Sequence, residues 1–126
     1  MIQGLEGGEK PFAYGSIIAF QPKSLKTIEN GGFMKNKIRA HAIITGKVQG
    51  VFFRVETKQA AERFGVVGWV RNRMDGSVEA VFEGKDIDVK ALLAWCQTGP
   101  PRARVSKVDV TWQAYAGEFE TFGVTY

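Results

Sequence analysis

Two hydrophobic periods alternate along residues 37–126, and their order constrains the fold more than any other feature of the sequence. Strand-like runs, apolar or with a period of two, cover Lys37 to Thr45, Val66 to Asn72, Ser77 to Glu83, Val105 to Trp112 and Phe122 to Tyr126. Helical spacing covers Phe53 to Phe64 and a segment from about Asp86 to Gly99-Pro100-Pro101. The predicted order is strand, helix, strand, strand, helix, strand, with a short strand appended.

This order predicts an α+β fold, a ferredoxin-like βαββαβ sandwich. A strand-helix-strand crossover normally returns parallel and right-handed, and two such units around a hairpin form the split βαβ arrangement. The pair Asp75-Gly76 marks that hairpin between the second and third strands. We therefore expect a mainly antiparallel sheet with both helices on one face, plus a short terminal strand.

Length and composition indicate one globular domain, since the chain has 126 residues and is 44% apolar. Residues 1–33 show neither period and contain several glycines and two prolines, so we expect a flexible N-terminal extension before a domain at 34–126. Gly31-Gly32-Phe33, directly before Met34, is what a purine-rich ribosome-binding site would give if it were translated. The native chain could therefore start at Met34.

Charge and cysteine content narrow the class of protein. Residues 1–33 carry no net charge, so the +4 of the chain belongs to residues 34–126, and a mildly basic domain attracts small phosphates or nucleic acid.

The single cysteine, Cys96, excludes an internal disulfide framework, and no Cys/His cluster has metal-ligand spacing, so we expect no metal and no cofactor. A reduced, cytoplasmic setting is the default expectation. No apolar stretch approaches the roughly 20 residues of a membrane span.

The segment between the first strand and the first helix can hold an anion. It runs from Gly46 to Arg54 and reads Gly-Lys-Val-Gln-Gly-Val-Phe-Phe-Arg. Gly46 and Gly50 permit backbone angles that turn successive N–H groups inward, and the helix adds unpaired N–H groups and the positive end of its dipole. Arg54, in the first turn, can add a two-pronged cation. We therefore predict a site for a phosphoryl group or a similar oxyanion.

Two motifs in this region resemble the signatures of the acylphosphatase family. The first is the segment from Gly46 to Arg54. The second is Gly68-Trp69-Val70-Arg71-Asn72, followed at the family's spacing by Gly76, Val78 and Gly84. The motifs occur in the family's order, and the resemblance covers roughly Lys37 to Tyr126. It implies the same ferredoxin-like fold that the periodicity predicts.

The resemblance also implies roles for two side chains. It implies that Arg54 is the family's phosphate-binding catalytic arginine, which we expect to be supported by loop N–H groups of Lys47, Val48, Gln49, Gly50 and Val51. It matches Asn72 to the family's catalytic asparagine. A carboxamide cannot remove a proton from water, but its oxygen can accept one water hydrogen and aim the lone pair at phosphorus. Without the motif, Arg54 would be an ordinary surface charge and Asn72 a turn residue.

Other polar or reactive side chains are expected to have structural roles. His41, the only histidine, is predicted on a strand face, and Cys96 in the core of the second helix. Gln49 is expected to brace the loop by side-chain hydrogen bonds.

The expected function is metal-independent hydrolysis of small acyl phosphates, such as acetyl or carbamoyl phosphate, to a carboxylate and inorganic phosphate. The leaving carboxylate is already a stable anion, so catalysis requires mainly positioning and preorganised positive charge. Two alternatives stay open. One is a ferredoxin-like module that binds nucleic acid, although the expected third and fourth strands lack its basic-aromatic signature. The other is an anion sensor that has lost the chemistry. We expect a monomer with no nucleic-acid or membrane partner.

Overall fold

The computed structural model of the protein describes residues 36–126, so the extension predicted for residues 1–33 lies outside the described residues. The described elements are β1 (Lys37–Lys47), α1 (Phe53–Phe64), β2 (Val67–Asn72), β3 (Val78–Lys85), α2 (Asp86–Cys96), β4 (Arg104–Gln113) and β5 (Phe122–Thr125). Their order is the predicted one, and the boundaries differ from the predicted boundaries by at most a few residues. Neither of these two helices is long and apolar enough to cross a membrane.

The five described strands form one sheet in the order β4-β1-β3-β2-β5. β1 pairs antiparallel with β3 and β4, and β3 pairs antiparallel with β2. β5 pairs parallel with β2. The predicted ferredoxin-like α+β fold is confirmed. The periodicity predicted the terminal strand but not its position along the edge of β2.

One face of the sheet packs against both helices and forms the core. Inward-facing side chains alternate along the strands, as in Ala40, Ala42 and Ile44 of β1 and Val78, Ala80 and Phe82 of β3. The helices contribute Phe53, Ala60 and Ala61 from α1 and Val89, Leu92, Leu93 and Cys96 from α2. Cys96 therefore lies in the core of the second helix, as predicted. Burial raises the pKa of the Cys96 thiol, which is a core group.

A polar cluster occupies the opposite face of the sheet. Nε2 of His41 lies 2.7 Å from Oε2 of Glu79, and Nε of Arg71 donates to Oε1 of the same carboxylate at 2.8 Å. Burial raises the pKa of Glu79, but hydrogen bonds from His41 and Arg71 outweigh it and hold that pKa below its ordinary value. His41 is thus a strand-face residue, as predicted.

Gly68 lies in β2, where there is no room for a side chain beside the backbone of β3. Its φ is +139°, and a Cβ added there would lie 1.9 Å from the carbonyl oxygen of Val81. We predict that Gly68→Ala lowers the free energy of unfolding by roughly 2–4 kcal/mol, because backbone must move to admit the methyl group. Gly123→Ala in β5 is the control, since its Cβ would meet nothing within 4 Å. Urea denaturation of both variants checks this prediction, and equal losses would contradict it.

Candidate active site

The chain enters α1 through left-handed backbone conformations. Gly50 has a φ of +76°, and Phe52, the N-cap of α1, has a φ of +66°. For a residue with a side chain this conformation costs on the order of 1 kcal/mol. Phe52 makes no side-chain cap hydrogen bond. The first N–H groups of α1, which have no acceptor within the helix, can therefore bind an external anion.

The loop before α1 is fixed from two sides. Val48 and Val51 are buried in the core, and the ring of Phe53 packs against Trp95 with centroids 5.7 Å apart. On the other side, Nε2 of Gln49 donates to the carbonyl oxygens of Arg73 at 2.7 Å and Ser77 at 2.9 Å. These two carbonyls belong to the turn that follows β2. Gln49 thus has the bracing contacts that were expected, and they tie the loop to that turn.

A cleft of about 240 Å³ lies at the start of α1. Its lining residues are Val48, Gly50, Phe52, Phe53, Arg54, Val55 and Asn72. The two side chains predicted for catalysis, Arg54 from α1 and Asn72 from the end of β2, therefore line the same cleft. Its volume is below the roughly 300–1,000 Å³ of pockets for drug-sized ligands, so it suits a small ligand.

Within residues 36–126, Arg54 supplies a positive charge that contacts an aromatic ring and no carboxylate. Its guanidinium carbon lies 5.0 Å from the ring centroid of Tyr126, a cation–π contact. Within residues 36–126, Arg54 is not among the ion pairs with carboxylates. Its N–H groups are therefore available for two parallel hydrogen bonds to an anion.

Asn72 supplies an acceptor. It is the last residue of β2 and pairs with Val78 across the hairpin. Its Oδ1 is buried, and no hydrogen-bond donor in residues 36–126 contacts it. Leaving a buried acceptor unpaired is unfavourable, and a donor such as a water molecule or a ligand hydroxyl would satisfy it.

The remaining predicted site residues lie close by but do not all line the cleft. Lys47 and Val51 line a neighbouring groove, and Gly50 lines both. Gln49 contacts the turn, as described above. Gly46 and Lys47 differ from expectation, because both lie within β1, just after a register shift, and not in the loop itself.

Two lining residues, Phe52 and Val55, were not singled out from the sequence. Phe52 is 67% exposed and Val55 is 50% exposed. Phe52 lies within the first motif, whereas Val55 has no sequence signal beyond its proximity to Arg54. They form part of the apolar wall of the cleft.

The fold and the cleft together define a class of protein, a small ferredoxin-like domain with a cleft at the loop between its first strand and first helix. The family model described as acylphosphatase matches residues 40–124. An acylphosphatase from Pelotomaculum thermopropionicum is 53% identical over 91 residues, covering 72% of this chain and 99% of the relative.

Solved structures agree with this match. An acylphosphatase from Coxiella burnetii is similar with a TM-score of 0.70 and 37% identity, covering 73% of this chain and 96% of that one. The crystal structure of the acylphosphatase from Bacillus subtilis is similar with a TM-score of 0.69 and 30% identity, covering 71% of this chain and 99% of that one. The chain belongs to the acylphosphatase family, as its two motifs indicated, and it is a hydrolase of acyl phosphates.

The side chain of Gln49 joins the loop to the turn after β2, and the effect of these contacts on stability and activity can be measured. We predict that Gln49→Ala lowers the free energy of unfolding by about 1–2 kcal/mol and reduces kcat/KM for acetyl phosphate about tenfold, because the loop loses both bonds to the turn. Gln113→Ala is the matched control, since Gln113 accepts a 2.8 Å bond from Arg39 at the far end of β4. A parental kcat/KM in the Gln49 variant would contradict the prediction.

Proposed function

We propose that this protein hydrolyses the carboxyl–phosphate bond of small acyl phosphates to a carboxylate and inorganic phosphate. In this proposal Arg54 binds the phosphoryl group and Asn72 orients the attacking water. The observation that carries it is the shared cleft at the start of α1, which is lined both by Arg54 and by Asn72, whose buried Oδ1 has no hydrogen-bond donor within residues 36–126. Substrates such as acetyl or carbamoyl phosphate are small enough for a cleft of about 240 Å³.

The phosphoryl group is held by backbone and side chain together. N–H groups of Lys47, Val48, Gln49, Gly50 and Val51 and of the first turn of α1 surround its oxygens. Arg54 donates two parallel hydrogen bonds to them. In a loose phosphoryl transfer, charge is spread over these oxygens, so preorganised donors stabilise the transition state.

The attacking water is positioned by Asn72. Oδ1 accepts one hydrogen of the water, which aims a lone pair of the water oxygen at phosphorus. A new P–O bond forms, and the bond between phosphorus and the acyl oxygen breaks with its electron pair leaving on the carboxylate. The water proton passes to a phosphate oxygen of the substrate, because a carboxamide cannot accept it.

The proposed chemistry assigns no step to a metal ion or other cofactor. We further propose that the protein acts as a monomer. We also propose a cytoplasmic location, in keeping with the single cysteine, which is buried and free. Assays in excess chelator are the suitable condition, since a metal-dependent reaction would stop there.

Arg54→Ala tests phosphate binding. We expect kcat/KM for acetyl phosphate to fall at least about 100-fold and inhibition by inorganic phosphate to weaken, because both depend on the guanidinium. Arg54→Lys should restore little, since an ammonium group cannot make the bidentate contact. The control is Arg63→Ala, an exposed arginine in the last turn of the same helix. Unchanged inhibition by phosphate in Arg54→Ala would refute the assignment.

Asn72→Ala tests water positioning separately. We expect kcat to fall about 100-fold while the inhibition constant of inorganic phosphate stays within a factor of about three, because the anion is held by other groups. A measured free energy of unfolding establishes that the variant is folded. A parental kcat, or a loss of phosphate binding as large as in Arg54→Ala, would argue against this role.

A further inference from the structure

A second groove adjoins the proposed phosphoryl site. It is lined by Lys47, Gly50, Val51, Pro101, Arg102 and Arg104, and its volume is about 510 Å³. Three of these six residues are cations, and none is acidic. We propose that this groove is a subsite for a second anionic group, a carboxylate or phosphate, on the acyl part of the substrate. The inference rests on the proposed function, because Gly50 lines both clefts.

The register of the sheet brings two of the cations together. Lys47 lies directly opposite Arg104 in the ladder between β1 and β4. Residues opposite each other in an antiparallel pair project from the same face, and like charges there are destabilising. By contrast, Arg39 of β1 lies opposite Glu83 of β3 and pairs with it at 3.2 Å. Repulsion between Lys47 and Arg104 therefore lowers the stability of the domain locally, and a bound anion would remove this repulsion.

A β-bulge creates this juxtaposition. The register shifts between Thr45 and Gly46, so that Lys47 faces Arg104 where a regular ladder would place Val105 opposite it. Gly46 has a φ of +131°, and a Cβ there would lie 2.2 Å from the carbonyl oxygen of Arg104. Bulges beside active sites commonly redirect side chains in this way. The strand thus bends at a glycine to present a pair of cations.

The three cations are not neutralised by the protein within residues 36–126. Lys47, Arg102 and Arg104 are exposed, and none belongs to the ion pairs of this range. The volume of the groove falls within the roughly 300–1,000 Å³ typical of small-molecule sites. An acyl tail that leaves the phosphoryl loop at Gly50 would have both space and countercharge there.

The lining favours a small dianion over a nucleic acid. Proteins that bind single strands stack bases on aromatic side chains, and no aromatic residue lines this groove. Its uncharged lining consists of Gly50, Val51 and Pro101. Continuity with the phosphoryl site adds to this preference, because one molecule with two anionic ends could occupy both.

The test compares two acyl phosphates of equal chain length, succinyl phosphate with a terminal carboxylate and butyryl phosphate without one. We expect the parental protein to favour succinyl phosphate in kcat/KM by roughly tenfold, the effect of one charge-assisted hydrogen bond. Arg102→Gln/Arg104→Gln should lose most of this ratio, and added salt should reduce it in the parental protein. Lys107→Gln, which removes an exposed cation elsewhere on β4, should keep the ratio.

Each other outcome is decisive. Equal kcat/KM for both substrates in the parental protein, or an unchanged ratio in the double variant, would overturn the subsite while leaving the proposed function intact. Failure of the parental protein to hydrolyse either substrate would overturn both. If the variant lost only binding of a labelled single-stranded oligonucleotide, the groove would be a nucleic-acid surface. Arg102→Gln alone, in a loop, repeats the test without altering the ladder.

Discussion

Backbone N–H groups at the start of α1 can converge on an anion only while the preceding loop holds left-handed conformations that most residues avoid. Phe52 adopts one of them with a φ of +66°, at a cost on the order of 1 kcal/mol. Burial of Val48 and Val51 in the same loop contributes about 1.5–3 kcal/mol each, which outweighs that cost. The shape of the site is therefore maintained by core packing, and the polar groups that face the ligand need not hold the loop themselves.

Charge is arranged differently at the two ends of the sheet. At the end of β1 that is remote from the cleft, Arg39 faces Glu83 and pairs with it. The cations that line the cleft and the adjoining groove have no carboxylate partner within residues 36–126; they are Lys47, Arg54, Arg102 and Arg104. Solvent screens exposed charges, so the domain tolerates this imbalance at small cost. The unpaired positive charge is then concentrated where a phosphoryl oxyanion would bind.

The helices and strands were predictable because periodicity specifies them, and two local motifs singled out Arg54 and Asn72, which line one cleft. The site's detailed shape was not. The bulge at Gly46 depends on pairing with β4, a strand more than 50 residues later in the chain. The positive φ of Phe52 is equally hidden, because a phenylalanine gives no sequence signal for a left-handed conformation. Such features arise from tertiary contacts that override local preference, which sequence patterns do not describe.

The proposed catalytic groups come from elements that are separated in sequence, so their relative position depends on what joins those elements. Arg54 belongs to α1, directly after the loop, whereas Asn72 belongs to the hairpin of β2 and β3. Gln49 spans the gap through two carbonyl acceptors in the turn after Asn72. A reaction whose leaving group needs no acid depends on distance and direction more than on proton transfer. In the proposed mechanism, a small displacement between the loop and the hairpin would lower the rate of hydrolysis. Gln49 takes no part in the chemistry, but it would support the reaction by holding the two elements in place.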